Sequence, residues 1–164
     1  MTQIAPSFAE TLYREHGAAL LSYLRRRFGR GDAAEDLLQE TFVQAVRTPA
    51  RMEAATSPRA WLFAIARNVG LTAARRRRDT VPLASDVAVQ SGPRPDPRVA
   101  EMREAITALP DTLREALELR LGAELSYDEI ASVLNIPVGT VRSRLHQAVR
   151  QLRERMRPAE ERRP

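Results

Sequence analysis

The sequence predicts an all-α chain of two small helical domains, a helical bundle and then a helix-turn-helix, joined by a Pro-rich flexible linker. Three observations predict it. Apolar residues recur at spacings of three and four nearly throughout, and no alternating strand pattern appears. Glycine and proline fall where those periodic runs stop. Four prolines (Pro82, Pro93, Pro95 and Pro97) crowd into one stretch with Ser, Gly and Asp between them, too densely for a regular helix. The expected boundaries are a first domain over residues 1–79, a linker over 80–98, a second domain over 99–158, and a disordered tail over 159–164.

Each element has a local cause. Phe8, Leu12, Leu20, Leu21, Leu24 and Phe28 form the stripe of a first helix, and Gly29 and Gly31 end it, because glycine accepts the left-handed conformation of a helix terminus. Asp32 is the expected cap of a second helix with core face Leu38, Phe42, Ala45 and Val46, stopped by Pro49. A polar, alanine-rich loop is expected over 48–56. Ser57 and Pro58 then read as N-cap and first residue of a third helix, which carries Leu62, Ile65, Ala66, Val69 and Ala73 on one face and ends in Arg75, Arg76, Arg77 and Arg78. Beyond the linker a helix runs to Leu109, and Pro110 opens another that ends at Gly122. Ser126 and Glu129 form a capping box opening a short helix with Ile130, Ala131, Val133 and Leu134 inward. After a break at Asn135, Ile136 and Pro137, a last helix spans about 138–157 with the stripe Val141, Leu145, Ala148, Leu152 and Met156.

Composition narrows the function. The 164 residues contain no cysteine, which excludes disulfides, Cys-ligated zinc and a Cys nucleophile. The two histidines, His16 and His146, lie far apart without HExxH spacing. No glycine-rich phosphate loop and no paired carboxylates beside a histidine are present, so neither an enzyme, a metal site nor a cofactor is expected. No apolar run approaches a membrane span, and no signal-peptide pattern opens the chain; a cytoplasmic protein is expected. The formal net charge is +5, and all the basic residues are arginine. Residues 1–80 hold 13 Arg against 8 acids, and residues 138–157 hold six Arg against one. Clustered basic charge without a strongly apolar face points to nucleic acid rather than membrane.

The short capped helix, tight turn and longer helix have the layout of a helix-turn-helix. Setting Val141, Leu145 and Leu152 inward puts Thr140, Ser143, Gln147 and Arg150 on the opposite face, with Arg142, Arg144 and His146 on its flanks. Such a face near a helix N-terminus suits a major groove, although a solvated helix face has the same composition. Residues 32–47 hold four acids against Arg47 alone, in a basic protein. Acids favour a helix N-terminus, which accounts for Asp32, Glu35 and Asp36. Glu40 lies too far along, so Asp36, Gln39 and Glu40 also read as a docking patch for a basic surface. Trp61 alone reads as core more readily than as a stacking platform. With Arg67, Asn68 and the run Arg75 to Arg78, its helix becomes a candidate for single-stranded DNA.

Ala108-Leu-Pro110, Leu125-Ser-Tyr-Asp-Glu-Ile-Ala131 and Ile136-Pro-Val-Gly-Thr-Val-Arg-Ser-Arg-Leu145 closely resemble the C-terminal domain of extracytoplasmic-function sigma factors. Asp32-Ala-Ala-Glu-Asp-Leu-Leu-Gln-Glu-Thr-Phe42 resembles that family's polymerase-binding helix. Ser57-Pro-Arg-Ala-Trp-Leu-Phe-Ala-Ile-Ala-Arg-Asn68 with its arginine run resembles the promoter-melting helix. The resemblance covers most of residues 8–157. It implies a factor that binds core RNA polymerase, through Asp36, Gln39 and Glu40 on the clamp coiled coil of the largest subunit, and recognises promoter DNA in a stress or environmental response. It implies -10 contacts from Trp61, Arg67, Asn68 and Arg75 to Arg78, with loop 48–56 selecting the extruded base. It implies -35 contacts from Arg142, Ser143, His146, Gln147 and Arg150, with Thr140 and Arg144 on phosphate, and control by an anti-sigma factor. The sequence departs from the family at Thr72, where an acid is common, at Gln147, where arginine is usual, and at Asn135, which replaces a frequent turn glycine. Glutamine suits adenine where arginine suits guanine, so an altered -35 preference is expected at one base. A free-standing dimeric regulator with the same helix-turn-helix is the rival reading. It leaves the acidic helix and the Trp61 to Asn68 motif unexplained.

Overall fold

The computed structural model describes residues 7–29, 31–55, 57–80 and 96–157. Its elements are α1 (Phe8–Phe28), α2 (Asp32–Arg47), α3 (Pro49–Glu53), α4 (Pro58–Thr80), α5 (Pro97–Thr107), α6 (Asp111–Leu117), a π-helical turn (Glu118–Gly122), α7 (Tyr127–Leu134) and α8 (Val138–Arg155). No strand occurs among the described residues. Most of the proline-rich segment (81–95) and the tail beyond Arg157 lie outside them. α4 runs through Thr80, and α5 begins at Pro97 behind an Asp96 cap, so both ends of the expected linker are helical.

In the first lobe α1, α2 and α4 pack around Leu12, Leu20, Tyr23, Leu24, Leu38, Ala45, Leu62 and Phe63. Tyr23 meets the edges of Phe63 and Phe28 at 5.4 and 6.3 Å between centroids. Gly70 of α4 makes room for Phe28 of α1: a Cβ there would overlap the Phe28 ring. In the second lobe α6, α7 and α8 enclose Leu113, Leu119, Leu125, Ile130, Val141 and Leu145.

Several local expectations need correction. Asp32 is the first residue of α2, not its cap; Gly31 holds that position at φ 91°, with no side-chain cap. The inward face of α2 is Ala34, Leu37, Leu38, Thr41 and Ala45, while Val46 is 43% exposed. The helical period simply turns Val46 outward and Thr41 inward, where its hydroxyl donates to the Leu37 carbonyl at 2.7 Å. Part of the expected loop 48–56 is α3, started by Pro49 at its first position. The helix after Pro110 widens into the π turn at Glu118.

The two lobes do not stand apart. α4 packs on α7 and α1 on the π turn, and one apolar cluster runs through both lobes.

Candidate nucleic-acid interface

The helix-turn-helix is built as its sequence dictates. The Ser126 side chain accepts from the Glu129 amide at 3.2 Å, and Glu129 accepts from the Ser126 amide at 2.9 Å, closing the capping box of α7. Asn135 ends α7 in the left-handed conformation at φ 53°, so it does the work of a turn glycine. Pro137 then precedes α8. Val141, Leu145 and Ala148 are buried, which turns Arg142, Ser143, His146, Gln147 and Arg150 to solvent; Thr140 and Arg144 are half-buried beside them. Gln147 donates to the Ser143 hydroxyl at 3.2 Å, pre-ordering an amide on the middle of the face. The arrangement offers a convex polar helix with donors and acceptors one turn apart, the shape that enters a major groove.

On the first lobe Asp36, Gln39 and Glu40 are all exposed on α2, and Glu40 accepts a 2.9 Å bond from Gln44. Asp36, Glu40 and Gln44 face Asn68, Thr72 and Arg76 of α4 across an open groove of about 500 Å3. Asn68 and Arg75 to Arg78 are exposed. Trp61 is 8% exposed and belongs to the core, which leaves no ring face for a base to stack on. Its helical register places it beside Leu62 and Phe63 on the inner side of α4.

Arg67, expected on the DNA-facing side of α4, is half-buried, with 24% of its side chain exposed. Its guanidinium forks onto Glu115 of α6, with Nε at 2.7 Å and Nη2 at 3.2 Å. Arg27 of α1 joins the same cluster: it grips Asp111 at 2.9 and 2.6 Å and lies 3.7 Å from Glu115 and 3.9 Å from Glu118. The Arg27 side chain is 7% exposed and that of Glu115 4%. Two further bonds cross the lobes. Ser57 donates to Glu129 at 2.6 Å, and Arg59 donates to the Ala123 carbonyl. Asp111 is held below the usual carboxylate range by its bond to Arg27, against opposition from burial. Burial pushes Glu118 up, with Arg27 pulling it back. Burial also opposes ionisation of Glu129, but its bonds from Ser57 and Ser126 together outweigh it and lower the carboxyl. Sequence reasoning missed this cluster, although a signal existed. Asp111, Glu115 and Glu118 are four and three apart, hence one acidic helix face.

Comparison with known proteins agrees with this architecture. Residues 12–80 match sigma-70 region 2, and residues 100–152 match sigma-70 region 4. The chain is 35% identical over 159 residues to the ECF RNA polymerase sigma factor SigE of Mycolicibacterium smegmatis, covering 91% of this chain and 61% of that protein. It is 33% identical over 151 residues to the RNA polymerase sigma factor CarQ of Myxococcus xanthus, covering 88% and 87% of the two chains. The sigma factor RpoE of Bartonella quintana, solved in complex with the anti-sigma factor NepR, superposes with a TM-score of 0.70 at 26% identity, covering 91% of this chain and 98% of that one. A two-lobed helical protein with a helix-turn-helix and an exposed acidic face on α2 is the class that fold and site define. The chain belongs to the extracytoplasmic-function group of the sigma-70 family. Its function is that of an RNA polymerase sigma factor, directing promoter recognition. No helix among the described residues is long and apolar enough to cross a membrane.

Proposed function

We propose that α8 reads the -35 element as duplex, that α4 engages the -10 element as single strand, and that the outer face of α2 docks on core RNA polymerase. The polar face of α8 carries this reading: its exposed amide, hydroxyl and guanidinium groups lie on a helix whose entry angle the Asn135 turn sets. Arg142, Ser143, His146, Gln147 and Arg150 face the bases, while Thr140 and Arg144 take phosphate. Asn68 meets the extruded base, and Arg75 to Arg78 follow the backbone. Asp36, Gln39 and Glu40 meet the clamp coiled coil. Val43 and Val46, 40% and 43% exposed, extend that face with apolar surface. The protein works in the cytoplasm as a non-catalytic subunit, and an anti-sigma factor of the kind that holds RpoE restrains it.

The test is binding of purified protein to core polymerase. Wild type binds, and Asp36→Arg/Glu40→Arg loses more than about tenfold in affinity, since reversed charges meet a basic partner surface. Absence of wild-type binding sinks the reading. Unchanged binding by the variant moves the interface off α2.

A further inference from the structure

Residue type alone inclines Gln147 towards adenine but leaves its amide free to turn. The structure restrains it. Ser143 and Gln147 lie one turn apart on the face of α8 opposite Val141, Leu145 and Ala148, and both are exposed. The Gln147 Nε2 donates one of its two hydrogens to the Ser143 hydroxyl at 3.2 Å. Its second hydrogen and its carbonyl oxygen have no partner among the described residues. The middle of this 18-residue helix therefore presents one donor beside one acceptor. Arg142 and Arg150, exposed on either side, offer donors alone. An acceptor for a base amine on this part of the face comes from Gln147.

We propose that Ser143 and Gln147 act as one unit that reads an adenine in the -35 duplex, with Ser143 the positioning residue that sets discrimination against guanine. This rests on reading α8 as the -35 helix. In the major groove adenine shows an acceptor, N7, beside a donor, the N6 amine, whereas guanine shows two acceptors, N7 and O6. The held amide meets adenine with both of its groups at once. Towards guanine its carbonyl oxygen faces O6, acceptor against acceptor. A free glutamine escapes that clash by turning both amide hydrogens onto N7 and O6. Ser143 already holds one of those hydrogens, so the escape breaks its bond. The hydroxyl could satisfy a reversed amide only by donating to it. Against DNA, whose phosphates are acceptors, the hydroxyl hydrogen is drawn outward, and the serine oxygen is left to accept. Rejection of guanine is then a property of the pair.

The test is selection of bound duplexes from a pool randomised over the upstream element, by holoenzyme assembled from the full-length chain and core polymerase. The readout is the ratio of adenine to guanine at the position that Gln147→Ala alters. A merely structural role of Ser143 would weaken all sequences alike and leave that ratio untouched. Wild type is expected to favour adenine by about tenfold or more, the discrimination of a paired contact. Ser143→Ala should bring the ratio to about threefold or less, and Ser143→Thr, which keeps a hydroxyl, should restore it. In a Gln147→Ala background, Ser143→Ala should leave the ratio where Gln147→Ala put it, because the coupling runs through the amide. A ratio unchanged by Ser143→Ala overturns the proposal. So does an equal change with and without Gln147, which would make the serine a reader in its own right, and so does a wild-type preference for any base pair without adenine. Arg142→Ala, on the same face but outside the pair, separates the two failures. If it alters the selected motif while Ser143→Ala does not, the -35 reading stands and the proposal falls. If neither Arg142→Ala nor Gln147→Ala alters the motif, α8 is off the duplex and both fall.

Discussion

The Tyr23 hydroxyl lies in the first-lobe core with no hydrogen-bond partner, and burial drives its ionisation far above the usual phenol range. A buried hydroxyl without a partner is a desolvation penalty with nothing returned. Tyr23→Phe keeps the ring contacts with Phe28 and Phe63 and should stabilise the protein by about 1 kcal/mol in denaturant melts. Glu118 belongs to the same region: its Oε2 is buried without a hydrogen bond, although Arg27 lies within ion-pair reach. The distance of 3.9 Å allows attraction but no directed bond, so burial dominates and the carboxyl is pushed up. A carboxyl raised in the folded state binds its proton more tightly there than when unfolded. Stability is thus highest below its ordinary value of 4.5 and falls as pH rises towards the raised one. Glu118→Gln should be more stable than wild type near neutrality, by on the order of 1 kcal/mol, with the advantage vanishing below pH 4.5. Arg27 keeps Asp111 and Glu115 in the variant. Thermal melts across that range decide it, and a constant difference at all pH would refute the assignment.

Among the elements, α7 and its turn set the angle of α8, the helix proposed to read the promoter. Ser126→Ala removes the reciprocal cap and should cost about 1 kcal/mol. Asn135→Val forces a β-branched residue into left-handed backbone and should cost 1–2 kcal/mol or more, roughly, whereas Asn135→Gly should be nearly neutral. Chemical denaturation of the three variants checks the order. These features were legible because the rules behind them are local: the serine and glutamate three apart, and an asparagine before Ile136 and Pro137, imply their backbone directly. The polar face of α8 was legible for the same reason, since three buried apolar positions orient a helix. Val46 and Trp61 were less so. On α2 Phe42, Val43, Ala45 and Val46 fit more than one apolar face, which left the period ambiguous, and a single tryptophan suits either core or base until its helix has a neighbour. The pairing of Arg67 was not legible because its partner lies 48 residues along the chain. No local pattern connects it to Glu115; only the packing of α4 on the second lobe does.

At the scale of the whole molecule the question is whether two lobes behave as one body. Their apolar residues form a continuous cluster, and the interface adds an ion network whose central residue, Glu115, is buried. Burying charge there opposes docking by desolvation, and the paired geometry of Arg67 with Glu115 offsets it only while both stay aligned. The apolar contact of α4 with α7 therefore supplies the attraction, and the aligned ion pairs offset a desolvation that would otherwise undo it; a cation set against Arg27 removes that offset. Coupled cores melt together, so calorimetry of the wild type should give one transition with calorimetric and van't Hoff enthalpies in agreement. Asp111→Arg should split it into two, each lobe melting on its own core. High salt should act far less than the substitution, because a network this buried is poorly screened. Two transitions in the wild type would mean that the lobes are uncoupled and that the Arg67–Glu115 pair does not hold them in register.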